Sequence, residues 1–547
     1  MRTISRTVAG RAAPCALAIV VALTVGCTET EIAYVDREPF NPPPDAAAGF
    51  LGYYTPGEKQ TTCGNCHAGE QASWAQTVHS SAWEDLQGSG EAQDFCSGCH
   101  TVSELGNAVD SLAGYNRVAD SAYHDVQCES CHGPGLAHVQ SVYSGNVVRP
   151  FASITVDTGR TNGCGECHTG THSPFVEQWA ESRHGYGGEA YIEEGGRTPC
   201  NTCHEGREAI RVNFGEEADF VEKGVAGVEA YQPIVCSVCH DPHDATNEGQ
   251  LRAPLGEPTR EQLCVKCHAR EGAPPSSNVT RRGPHAAQGL LVIDEDAGWI
   301  PPGFQYDTTK LVGSHGTTAN PRLCAACHVY MFDVTDAATG EFLLRSVGHT
   351  FEAIGCLDAQ GLPTAGPCPD TERNFKGCAV SGCHGDENAA RSAFQVVRQR
   401  MNTLTDLLWN DVDNDSIIES TDTGLLPRIL AQAIGAGNLN EINLYDATLT
   451  PAEGAIWNAQ LARTNERLQW ASFKVAGQNS CAAAGCTTQN ASNTSHKSSG
   501  EGVHNPFKLE ALLLASIGYL GTYYSLPSPP ANLSMQATVP PGVRRLR

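Results

Sequence analysis

The chain has 547 residues, with 36 Lys and Arg against 61 Asp and Glu, and a formal charge of −25. That length would bury a sizeable core, yet 15 Phe, 15 Tyr and 7 Trp stand beside 56 Gly and 31 Pro, so side chains alone fill an interior poorly. The acid excess excludes the basic footprint of nucleic-acid binding, and 24 Cys with 20 His exceed what a reduced cytosolic protein usually carries.

Residues 1–27 place Arg2, Arg6 and Arg11 ahead of an apolar run from Ala16 to Leu23, then Thr24-Val25-Gly26-Cys27. A basic start, a short apolar stretch and small residues at the cut describe a secretory signal rather than a membrane span. The segment ending at Cys27 resembles a bacterial lipobox, in which that Cys becomes the lipid-bearing first residue. Thr28 follows instead of Asp, which in the lipoprotein family favours the outer membrane. An exported lipoprotein of a Gram-negative-type bacterium, facing the periplasm or the exterior, is therefore expected. Residues 28–58 read as an extended Pro/Ala-rich tether.

Cys-x-x-Cys-His then recurs eight times, at Cys63/Cys66/His67, Cys96/Cys99/His100, Cys128/Cys131/His132, Cys164/Cys167/His168, Cys200/Cys203/His204, Cys236/Cys239/His240, Cys264/Cys267/His268 and Cys324/Cys327/His328. Two thiols at this spacing add across the two vinyl groups of one porphyrin while the adjoining His reaches the iron, so the motif reads as c-type haem attachment. Porphyrin at every motif would then fill the interior that aromatic side chains leave open. Zinc, the competing reading, does not require a His after every Cys pair. A ninth site, Cys378-x4-Cys383-His384, is wider but keeps its His beside the second Cys. Cys481 and Cys486 are followed by Thr487, lack that ligand and read as a disulfide of an oxidising compartment; Cys356 and Cys368 read as a second one. With Cys15 and Cys27 in the signal, all 24 Cys are assigned.

The ligand on the far face of each iron decides between electron relay and catalysis. Met331, Met401 and Met535 are too few to supply nine irons. Among the remaining histidines, His79 and His184 close two copies of Trp-Ala-x-x-x-His, from Trp74 and from Trp179. His138 follows Gly133-Pro134-Gly135 and His243 follows Asp241-Pro242. In order, motifs at His67, His100 and His132 with His79 and His138 correspond to those at His168, His204 and His240 with His184 and His243. A duplicated three-haem module over 59–250, followed by a three-haem region over 251–387, is the expected organisation. His124, His285, His315, His349 and His504 complete nine distal candidates, while His172 and His496 lack a comparable setting.

Through these motifs, over roughly residues 59–384, the chain resembles the exported multihaem c-type cytochromes, the group containing cytochrome c554, the pentahaem and octahaem nitrite reductases, hydroxylamine oxidoreductase and extracellular cytochromes. The resemblance resumes at Gly502-Val503-His504-Asn505-Pro506-Phe507 and the apolar stretch Leu509 to Leu520. It implies a mainly α fold with extensive loops around stacked c-type haems, with His504 returning to cap one of them. The Cys-x-x-Cys-Lys of ammonia-forming nitrite reductases is absent. The expected function is electron relay through about nine bis-His haems, between periplasmic redox carriers and an outer-membrane or extracellular acceptor or partner reductase. No catalytic residue is assigned. The alternatives are a nitrite reductase or hydroxylamine oxidoreductase type of enzyme with one open haem, and a self-assembling subunit of an extracellular cytochrome filament.

The haem-poor region 388–547 shows helical periodicity at Ala390 to Met401, Leu404 to Leu408, Leu425 to Ile434 and onward from Pro451. Asp411, Asp413, Asp415, Glu419 and Asp422 occupy loop positions 1, 3, 5, 9 and 12 and resemble a calcium loop. Ser416 replaces its Gly and Asp422 its bidentate Glu, so a solvated acidic turn competes with that reading.

Overall fold

In the computed structural model, the short spacing of each attachment motif folds as a single helical turn, which brings residues three apart to one face. Cys128–His132 and Cys324–His328 are α-helical turns, and Cys63–Asn65 and Cys264–Lys266 are tighter ones. The amide of His67, His168, His240 and His268 donates in each case to the carbonyl of the first Cys at 2.9 Å. In the wider ninth motif the His384 amide still reaches the Cys378 carbonyl, at 3.2 Å, so the insertion is absorbed without releasing the His. The structure describes residues 42–150, 156, 163–170, 172–185, 198–218, 232–274, 283–305, 314–336, 338–359, 361–364, 367–380, 382–415, 417–438, 440–442, 448–462, 474–475, 489–490 and 502–527. Cys27, Cys481, Cys486 and His496 lie outside them.

Two short helices, α1 (Ala68–Trp74) and α2 (Phe175–Glu181), carry the repeated Trp-Ala segments. The Trp74 indole donates to the Val126 carbonyl at 2.9 Å and the Trp179 indole to that of Ile234 at 2.8 Å. The amides of Val126 and Ile234 in turn donate to the carbonyls of His79 and His184, each at 3.1 Å. Both acceptor residues stand two positions before the first Cys of a third motif, so one hydrogen-bond frame folds both segments.

The expected tether does not extend over 43–58. Phe50, Leu51 and Tyr53 are buried there, because Glu129 accepts the amides of Leu51 at 2.7 Å, Gly52 at 2.7 Å and Gly135 at 2.7 Å. The Tyr123 hydroxyl also bridges the Asp45 amide and the Phe50 carbonyl. The arm ends in the antiparallel pair β1 (Tyr53–Thr55) and β2 (Gln60–Thr61). A second antiparallel hairpin, β3 (Phe332–Thr335) with β4 (Phe342–Ser346), leads into His349. Cys356 and Cys368 form a disulfide with Cα atoms 5.6 Å apart.

Four helices build the haem-poor end: α3 (Glu387–Leu408), α4 (Leu425–Gly435), α5 (Pro451–Ala462) and α6 (Pro506–Tyr523). The Asp386 carboxylate caps α3 and the Asn505 side chain caps α6, with Pro506 in its first turn. The periodic stretches Ala390 to Met401 and Leu404 to Leu408 form one helix, within which the Thr403 hydroxyl donates to the Gln399 carbonyl at 2.9 Å. Met401, Leu404, Leu408, Trp409, Ile429, Trp457, Leu509 and Leu513 fill the common core. A buried ion pair, Lys508 Nζ to Asp294 Oδ1 at 2.7 Å, fastens α6 to the haem-motif region. A small sheet joins β5 (Ile417–Ile418), β6 (Lys474–Val475) and β7 (Gln489–Asn490), the first pair parallel and the second antiparallel. From Pro43 onward the chain is one compact unit. Among the described residues no helix is long and apolar enough to cross a membrane. The architecture is mainly α with extensive loops around the attachment motifs.

Candidate haem sites

Eight of the nine motif histidines face a second imidazole across a gap of nearly constant width. Ring centres lie 6.4 Å apart for His67 and His138, 5.9 Å for His132 and His243, and 6.1 Å for His168 and His79. They lie 6.2 Å apart for His204 and His285, 6.4 Å for His240 and His349, and 6.1 Å for His268 and His184. His328 and His504 stand 6.4 Å apart with parallel planes, and His384 and His315 stand 6.3 Å apart. One iron bonded to two imidazole nitrogens at about 2 Å each would separate the ring centres by about 6 Å. The spacing fits a single metal between the rings.

The nitrogens are oriented for that task. Nδ1 lies 2.8 Å from the Val148 carbonyl in His138, 2.6 Å from that of Gly249 in His240, and 2.7 Å from that of Phe351 in His328. In His349 and His315 it meets the carbonyls of Val347 and Val503, at 3.0 and 3.1 Å. An Nδ1–H directed at a carbonyl leaves Nε2 as the metal-binding atom. Burial, reinforced by neighbouring imidazoles, pushes His184 down to about 3 and His168 to about 4; His349 falls to about 4, again chiefly through burial. These rings are neutral, the form a metal requires.

Eight of the motifs, all but that of His67, line one continuous cavity of about 2850 Å³, several times the about 300–1,000 Å³ of an ordinary ligand pocket. Thiols of different motifs meet along the row. Hydrogen bonding pushes up Cys63 against Cys128, Cys236 against Cys164 and Cys324 against Cys264. The same effect raises Cys167 against Cys99, Cys267 against Cys203 and Cys327 against Cys378. Cys131 and Cys239, each raised to about 12 first by burial, also feel Cys164 and Cys264 respectively. These neighbours arrange the motifs of His67, His132, His168, His240, His268, His328 and His384 in a row. The His100 motif branches from that of His168, and the His204 motif from that of His268.

Cys66 belongs to the motif that lies outside this cavity. It is exposed and does not border the cavity, whereas Cys131, Cys164 and Cys383, also exposed, open onto the cavity itself. The cause is position. The His67 motif begins the row, so Cys63 meets the thiol of Cys128 while no earlier motif packs over Cys66. The His67 motif thus stands at the outer end of the row.

His100 differs from the other eight motif histidines. Its Nδ1 sits 3.0 Å from the Ala82 carbonyl, yet among the described residues no imidazole faces it at the common spacing. His124, one of the nine distal candidates, lies flat on Trp83 with ring centres 4.2 Å apart, and against Tyr115 at 5.5 Å. Asp120 caps the turn before it and Tyr123 is fully buried, which delivers His124 to the aromatic cluster. His172 is exposed at the cavity wall.

In the acidic loop, carboxylate oxygens of Asp411, Asp413 and Asp415 lie within 4.8 Å of one another. Burial and the neighbouring charges push Asp415 up. Asp422 accepts the Trp409 indole N–H at 2.8 Å and the Val412 amide at 3.0 Å, and Glu419 accepts the Thr421 hydroxyl. Three of the five expected oxygens therefore come together, and the other two residues serve the loop.

The family model for cytochrome c554 and c-prime matches residues 62–133, and the doubled CXXCH motif model matches residues 229–273. No curated protein matches the chain. The solved structure of an undecahaem cytochrome from the S-layer of Carboxydothermus ferrireducens is similar at 18% identity and a TM-score of 0.34, over 74% of this chain and 51% of that one. This chain thus spans about half the length of that structure. Both family matches fall on the attachment motifs whose thiols and imidazoles build the row, and the chain is a multihaem c-type cytochrome.

Proposed function

We propose that the protein relays electrons along nine haems, seven in a row and two on side branches, eight of them held between paired histidines. The observation that carries this reading is the set of eight imidazole pairs at 5.9–6.4 Å. Haem bound there supplies a reversible one-electron iron couple. The chain's own residues do the rest: each Cys pair anchors a macrocycle, each motif His is proximal, and the facing His occupies the place a substrate would need. Paired His without Met also favours low potentials.

The far ligands cross between segments. His79 of the first module faces His168 of the second, and His243 of the second faces His132 of the first. The relay is thereby locked into one rigid row, which supports transfer over its whole length.

Export, lipidation at Cys27 and an outer-membrane location belong to the same proposal. The donor is then a periplasmic redox carrier, and the acceptor an outer-membrane or extracellular partner. A chain of charge −25 favours basic docking faces and salt-sensitive association. Intact mass together with low-temperature EPR of the oxidised protein tests the core of the reading: nine haems with eight low-spin irons support it, and fewer low-spin irons count against it.

His100 favours a second reading, in which its iron keeps one face free of protein imidazole and binds a small ligand. Nitrite, hydroxylamine or sulfite should then shift a single high-spin signal; no shift removes the enzyme alternative. Electron microscopy of the purified protein separates monomer from filament. Calcium, if held, would sit among Asp411, Asp413 and Asp415, and calorimetric titration with calcium checks that assignment.

A further inference from the structure

Phe351 touches three imidazoles that belong to three different sites. Its ring centre lies 4.5 Å from that of His184, edge-on at 74°, and 5.5 Å from that of His349, tilted at 56°. Its carbonyl oxygen lies 2.7 Å from Nδ1 of His328. Under the ligation proposed above, on which this inference rests, these imidazoles serve the irons of the His268, His240 and His328 motifs. Those three are consecutive in the row.

The backbone at this point is unusual. Phe351 has φ +56°, a left-handed conformation that a bulky aromatic residue adopts only under tertiary constraint. The constraint is on hand. Gly348, itself at φ +74°, accepts the Phe351 amide at 3.2 Å and sets the turn. The buried Gln178 side chain, from α2, accepts the amides of Val347 at 3.2 Å and His349 at 3.0 Å. Phe175, one turn earlier on α2, packs edge-on against His349 at 4.8 Å and against His168 at 5.7 Å. The His349 ring is held between two phenylalanines, with its Nδ1 fixed by the Val347 carbonyl.

We propose that Phe351 is a positioning residue that sets the ring orientation of three successive ligands, His184, His349 and His328, and so matches the ligand geometry of three neighbouring irons in mid-row. An aromatic ring suits the role because its edge-to-face packing restrains imidazole rotation. Its carbonyl simultaneously orients the third imidazole. One residue thus couples three sites that the sequence spreads over His184 to His349.

The test compares the holoprotein with Phe351→Leu, Phe351→Tyr and Phe175→Leu, reading haem content by mass, low-spin EPR signals and spectroscopic redox titrations. Phe351→Leu should keep nine haems and shift the low-spin signals of the two irons whose ligands touch the ring, those of the His268 and His240 motifs, while that of the His328 motif, oriented by the retained carbonyl, and the others stay in place. Phe175→Leu should shift two, those of the His168 and His240 motifs, and Phe351→Tyr should match the parent. A fully loaded Phe351→Leu with parental signals, or with all signals moved alike, overturns the inference. If Phe351→Leu fails to load haem, the other two variants decide: a shifted Phe351→Tyr or an unshifted Phe175→Leu overturns it. Too few low-spin irons in the parent would instead contradict the ligation reading itself.

Discussion

The first and second three-motif segments share a frame and differ in one facing imidazole. Both tie a tryptophan indole to a carbonyl two residues ahead of the third motif, and both send the histidine after that tryptophan to the first motif of the following segment. In the second segment the middle motif's His204 faces His285. In the first segment the equivalent His100 faces no imidazole among the described residues, and His124 stacks on Trp83. A shared scaffold therefore sets a second imidazole opposite the middle motif in one copy and none, among the described residues, in the other.

The largest effect expected from breaking this contrast is at His285. His285→Ala should convert one low-spin iron to high-spin in the oxidised EPR spectrum, giving the second segment the character of the first, while His124→Ala should leave the spectrum unchanged. A low-spin loss in His124→Ala would remove the contrast.

Glu129 sharpens the comparison from the other side, since Ser237 holds the matching position in the second segment. Glu129→Gln would turn an amide N–H toward the backbone N–H groups that the carboxylate now accepts. A loss on the order of 3 kcal/mol is expected, with protease cleavage appearing first in residues 43–52. Trp74→Phe and Trp179→Phe should each cost about 1–2 kcal/mol, by leaving a carbonyl without its donor. Comparable shifts in denaturation midpoint are expected from the two, and grossly unequal ones would mean that the frames are not equivalent.

The smallest effect lies outside both segments. Asp370 receives a two-pronged ion pair from Arg398, whose hydrogen bonds hold its carboxyl below the usual carboxylate range. That contribution, about 1 kcal/mol, is fully present above the ordinary Asp pKa and is lost as pH falls through the depressed value. Asp370→Asn should flatten this acid limb in thermal melts and leave the EPR spectrum untouched.

The attachment sites were legible because covalent chemistry dictates their spacing, and the Cys356–Cys368 pairing followed from the same accounting of cysteines. The helices of the haem-poor end were legible from their periodicity. Which histidine faces which was not legible: His240 finds its partner at His349, on the far side of the β3–β4 hairpin, and nothing local to either residue encodes that meeting. The buried arm at 43–58 was hidden by its proline-rich beginning, because its partner, Glu129, lies inside a motif read only for its cysteines. His124 was misleading for a similar reason, since its place beside Cys128 invited a ligand role while its stacking partner, Trp83, lies far up the chain. Carbonyls such as those of Ala82, Gly249 and Phe351, which aim the imidazoles, leave no side-chain signature at all.

Low-temperature EPR with spin quantitation on the fully oxidised, haem-loaded protein tests the central claim most directly. Eight low-spin irons and one high-spin iron are predicted, the high-spin signal persisting in His124→Ala. Nine low-spin irons would show that His100 has a partner after all, and fewer than eight would contradict the paired-imidazole account.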